Sequence, residues 1–110
     1  MMVNIHLHLN TDVCKVLFAK YFGIDTCNFV AYIGKNNDDN TLVLSSDEIT
    51  MEFGWEEIKE IIIDLFDNDS SKIDDVHVNI IKNVERNKKY VSINCKVSKD
   101  CVKSIMDIFG

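Results

Sequence analysis

The chain has 110 residues, 46% apolar and 27% charged, which is the size and balance of one globular domain rather than two. It has no proline and four glycines, so it is neither collagen-like nor a linker, and no apolar run nears the roughly 20 residues that cross a bilayer. Its net charge of −6 is uneven: residues 1–37 carry +1, residues 38–75 carry −11 from thirteen acids and two lysines, and residues 76–110 carry +4. The acidic middle argues against direct nucleic-acid binding, which needs clustered bases, and it would be repelled by an anionic membrane.

Val3 to Leu9 alternates strictly, with Val3, Ile5, Leu7 and Leu9 on one side and Asn4, His6 and His8 on the other. That is a half-buried strand. Thr11 is placed to cap the following helix, whose face is Cys14, Leu17, Phe18 and Tyr21 and whose end is Gly23. Cys27, Phe29, Ala31 and Ile33 alternate as a second strand, and the Asn- and Asp-rich stretch from Gly34 to Asn40 reads as a turn. Thr41 to Ser45 and Glu48 to Phe53 complete an antiparallel meander, with Ile49, Met51 and Phe53 facing inward.

Gly54 breaks the strand, and Trp55 to Phe66 forms the main helix. Ile58, Ile61, Ile62, Leu65 and Phe66 build its apolar stripe, while Glu56, Glu60 and Asp64 lie four apart on the other side. Like charges at that spacing cost a few tenths of a kcal/mol per pair. Asp67 to Asp75 reads as a polar loop. Val76 to Val84 and Tyr90 to Val97 form a hairpin with a basic tip at Arg86, Lys88 and Lys89. Ser98 is placed to cap a last helix with the stripe Cys101, Val102, Ile105, Met106 and Phe109. The strand-then-helix pattern at Val91–Cys101 faintly echoes the one at Val3–Cys14, and each unit ends in Phe-Gly (Phe22-Gly23, Phe109-Gly110). The expected architecture is a single α+β domain over residues 1–110, an antiparallel-dominated sheet of about six strands with three helices on one face, in the order β-α-β-β-β-α-β-β-α.

The N-terminus begins Met1-Met2-Val3-Asn4 with no basic residue, which does not read as a secretory signal. A cytoplasmic, reducing location follows, so Cys14, Cys27, Cys95 and Cys101, which form no C-x-x-C, are expected as buried free thiols. His6, His8 and His77 share the polar parity of their strands. If the first and fifth strands are neighbours, three imidazoles converge in a set that suits zinc; otherwise they are polar residues on a wet sheet face. Neither a nucleophile elbow nor a phosphate-binding loop occurs, and Cys95 and Cys101 have a core-facing parity that disfavours a nucleophilic role.

The remaining candidate is the acidic surface of Glu52, Glu56, Glu57, Glu60 and Asp64, extended by Asp67 and Asp69. Such a face steers onto a basic partner and can occupy its site by mimicking phosphates. The expectation is a non-catalytic binding protein without a cofactor. By analogy of fold and charge it is of the kind found among inhibitors of phage–bacterium conflict and toxin-neutralising proteins. The alternative is a small-molecule-binding or sequestering domain that uses His6, His8 and His77. The basic hairpin tip offers a complement to a neighbouring copy's acidic helix, and sheet edges leave pairing between copies, as in a homodimer, open.

Overall fold

The computed structural model describes residues 1–109, the side chain of Phe109 excepted, so the Phe109 end of the last apolar stripe and Gly110 of the echo lie outside the described residues. The elements are β1 (Met2–Asn10), α1 (Thr11–Phe22), β2 (Val30–Asn36), β3 (Asp39–Ser45), β4 (Thr50–Phe53), α2 (Trp55–Phe66), β5 (Ile73–Asn83), β6 (Lys88–Ser98) and α3 (Lys99–Phe109). The class and the element order are those expected. The six strands are shared between two antiparallel sheets of three: a terminal sheet ordered β1-β6-β5 and the meander β2-β3-β4.

Alternation explains the terminal sheet. Across β1, β6 and β5 the rows Val3–Val97–Ile73, Leu7–Ile93–Val78 and Leu9–Val91–Ile80 put apolar residues on one side. The rows Asn4–Lys96–Asp74, His6–Asn94–His77 and His8–Ser92–Asn79 put polar ones on the other. The helices cover the apolar side: α1 packs on β1 and β6, α2 on β5, and α3 on β6. Helix α1 also reaches the meander through β2, and Phe18 packs against Phe53 of β4 with tilted rings whose centroids are 4.7 Å apart. Asn40 at the start of β3 donates its Nδ2 to the Ile80 carbonyl of β5 at 2.9 Å, a second tie between the sheets. One core results, with Leu17, Phe18, Leu42, Leu44, Ile62, Phe66, Val91 and Ile93 fully buried in it.

Several local expectations are corrected. Asn10, not Thr11, caps α1: its backbone is extended (φ −72°, ψ 172°) and its Oδ1 accepts the Val13 amide at 2.9 Å. Asparagine is the stronger cap of the two. Cys27 is exposed rather than buried on a strand. Asp25 Oδ1 accepts the Cys27 amide at 3.0 Å and Phe29 N–H bonds the Thr26 carbonyl, so a turn occupies residues 25–28 and β2 starts at Val30. Ile49 is likewise outside its strand and half exposed, because Ser46 Oγ accepts the amides of Glu48 and Ile49 and closes a turn there. Met106 is exposed despite its place on the α3 stripe. Ser98 lies in β6, where its Oγ accepts the Lys72 amide at 2.9 Å.

The polar stretch before β5 is shorter than expected. Ile73 and Asp74 already pair with Val97 and Lys96, and the register then slips before His77 meets Asn94. Asp75 holds the left-handed φ of +54° at this bulge. The extra residue re-phases the strand, so that Ile73 and Val76, three apart, both face the core.

Candidate functional site

The five carboxylates singled out in the sequence fall into two groups around α2. Glu52 of β4 and Glu56 and Glu57 in the first turn of α2 line a pocket of about 280 Å³ together with Asp39, Thr41 and Trp55. Glu60 and Asp64 continue along the exposed side of the helix. All five side chains are exposed, but three have structural partners. Glu52 accepts the Thr41 hydroxyl at 2.9 Å and the Asn36 amide at 3.5 Å. Glu57 accepts the backbone N–H of Gly54, the N-cap residue, which has no side chain with which to cap the helix itself. Asp64 accepts the Tyr21 hydroxyl at 2.7 Å, which ties α2 to α1 and, with Glu60 nearby, pushes the Tyr21 phenol above its ordinary pKa.

The only ion pairs among the described residues both use Asp75, which meets His77 Nε2 at 3.1 Å and Lys96 Nζ at 3.8 Å. The other twelve acids of residues 38–75 have no basic partner among the described residues. Their charge is therefore left to solvent and to whatever approaches. The first turn of α2 places Glu56 and Glu57 at the positive end of the helix dipole, a placement that stabilises the helix as well as presenting the charge.

The histidines occupy the polar side of the terminal sheet, but β6 lies between β1 and β5. His6 and His77 flank Asn94 in one row, two strand spacings or roughly 10 Å apart by backbone. Each has its own neighbour. His6 Nε2 lies 3.2 Å from Ser92 Oγ, His77 pairs with Asp75, and His8 stacks on Tyr90 with centroids 3.9 Å apart. As placed, the three imidazoles do not converge, and no group of three metal-ligating side chains forms among the described residues. Of the three, only His77 lines a pocket, one of about 180 Å³ that includes Asn4, Asp75, Asn94 and Lys96.

Three of the four thiols are buried. Burial pushes Cys14 up to about 12 and Cys95 up to about 11, and it also raises Cys101, with the Asp67 carboxylate adding to the effect. A thiolate is the nucleophilic form, so these environments disfavour covalent chemistry at either Cys95 or Cys101. The Asp25 carboxylate raises the exposed Cys27 as well.

Sequence reasoning missed the Asp75 bulge and its pairs with His77 and Lys96. The doublet Asp74-Asp75 at the point where the apolar phase changes was the available signal. It also missed Tyr21 as a partner of Asp64, for which a separation of 43 residues leaves no local trace.

No family model, no curated protein and no solved structure matches the chain.

Proposed function

We propose that this protein is a non-catalytic binding module that docks the acidic side of α2 on a basic cleft of another protein and blocks it. Inhibition in phage–host conflict or neutralisation of a toxin is the setting the analogy of size, class and charge suggests. The observation that carries the reading is the set of twelve unpaired acids in residues 38–75, with Glu52, Glu56, Glu57, Glu60 and Asp64 exposed around one helix. Unpaired exposed carboxylates attract a basic surface before contact and speed its arrival. Glu56 and Glu60 are the residues to test, because Glu52, Glu57 and Asp64 also hold the fold together.

The experiment is capture from an extract of the source cells with two immobilised baits, the wild type and the double variant Glu56→Lys/Glu60→Lys. The wild type is expected to retain a basic protein that elutes as salt rises, since screening shortens the reach of charge to about 8 Å at physiological ionic strength. The double variant is expected to lose it. Equal retention by both baits, or retention indifferent to salt, sinks the reading.

A second reading, a small polar ligand on the terminal sheet, is favoured by the pocket that brings His77, Asn94, Lys96 and Asp75 together. A neutral ligand held there would be indifferent to both salt and the α2 reversals, and His77→Ala would weaken it.

A further inference from the structure

The two outer strands of the terminal sheet are built differently. β5 carries Asp74, Asp75 and Lys82 and is broken by its bulge, devices that keep an edge from pairing with another chain. β1 has none of them. Its nine residues, Met2–Asn10, include no charge and no proline, and its register with β6 runs unbroken from Met2↔Ser98 to Asn10↔Tyr90. The meander's edges are also guarded, β2 by Lys35 and β4 by its length of four residues. A long, regular, uncharged edge is a template for a further strand.

Beside this edge lies an apolar recess of about 620 Å³, between β1 and α3. Val3 and Ile5 form its strand side, and Val102 and Met106 its helix side. Met106 is 65% exposed and Val3 38%, although both lie on the apolar parity of their elements. Lys99, Lys103 and Asp107, four apart on α3, rim the recess.

We propose that a second copy of this chain covers this face, its β1 pairing antiparallel with the first so that two terminal sheets join into one of six strands. Three features select a second copy. Odd-numbered residues set opposite odd-numbered ones continue the apolar side across the join, as one sequence paired with itself can always arrange. A two-fold axis at the join runs the two α3 helices in opposite directions, so an axis that passes level with Ile105 sets Lys103 of each copy opposite Asp107 of the other. Neither has an ion pair within its own chain among the described residues. Finally, α2 packs on β5, the opposite edge of the same sheet, so this contact keeps the two strongly acidic segments apart. The assembly does not rest on the function proposed above and leaves the α2 surface free for it.

Sedimentation equilibrium over a concentration series tests the assembly. The wild type is expected at twice 12.6 kDa, dissociating on dilution. Val3→Lys/Met106→Lys is expected to be monomeric with an unchanged far-ultraviolet circular dichroism spectrum. In case that pair perturbs folding, Lys103→Asp and Asp107→Lys alter only exposed positions on α3. Each alone is expected to weaken the dimer by about tenfold or more, and the two together to restore it. A wild type that stays monomeric up to roughly 100 μM, well above the micromolar range of weak dimers, overturns the proposal. So does a dimer indifferent to both sets of substitutions, or a monomer whose recess instead takes up a peptide from another protein.

Discussion

Gly34 is glycine because of what stands over it. A Cβ there would lie 2.9 Å from Val43 Cγ2 and 3.2 Å from Thr41 Oγ1, and both neighbours are buried. Gly34→Ala is therefore expected to destabilise the protein by about 1–3 kcal/mol, the usual cost of overpacking, as a lower urea midpoint would show. Displacing Thr41 would also disturb the bond that holds Glu52 at the acidic pocket. Cys27 offers a second test at this scale. Being the exposed thiol, it is expected to be the one that reacts with a disulfide reagent under native conditions, and Cys27→Ser should abolish that reaction. The Asp25 carboxylate disfavours its thiolate, so Asp25→Asn should bring the thiol pKa down and speed labelling at mildly alkaline pH. Unchanged labelling of the Asp25 variant would refute the assignment.

Among the elements, β5 is the informative one. Because Asp75 is the residue that re-phases the strand, deleting it should leave Ile73 and Val76 on the core side of a regular strand. The loss of its two exposed ion pairs is worth about 0–1 kcal/mol, and relief of a left-handed non-glycine residue offsets it. Deleting Asn79 instead should throw Val76 and Val78 onto the wet side and unfold the chain, as thermal denaturation of the two deletions would reveal. This element also marks the limit of pattern reading. β1 and β6 were legible because each buries one face, so alternation is written into them without a break. Ile73 was not assigned to β5, because a bulge adds one residue and the doublet Asp74-Asp75 looks like loop. Cys27 and Ile49 were placed inward because parity was carried past the strand ends. The side chains of Asp25 and Ser46 bend the chain there by accepting nearby amides.

For the whole molecule, burial of thiols links stability to pH. Cys14 ionises at 9.0 when unfolded and at about 12 when folded, because the core disfavours its charge. A folded pKa above the unfolded one means the full contribution is present below pH 9.0 and is lost as pH climbs toward about 12. The slope is at most about 1.4 kcal/mol per pH unit for each such thiol, and Cys95 adds to it in the same direction. The urea midpoint should therefore fall on going from about pH 8 to about pH 10.5, and fall less steeply in Cys14→Ala. Burial and charge density are properties the sequence carries, so the acidic surface and the three buried thiols were legible in it. The division of the strands into two sheets was not, since it depends on β1 choosing β6 over the nearer β2. Nor was the separation of His6 from His77, which the same choice imposes by setting β6 between them.

That choice also fixes the order of events as the chain is made. The meander of β2, β3 and β4 needs only residues 30–53 and can zip as they emerge, whereas Met2 must wait for Ser98. At the usual pace of about 5–20 residues per second, β1 spends roughly 5–20 s without its partner. It is the same unguarded strand that later forms the outer edge of the terminal sheet. Newly made chains are therefore most vulnerable to sticking together through β1, and a crowded ribosome has more to fear from this protein than a finished pool of it does.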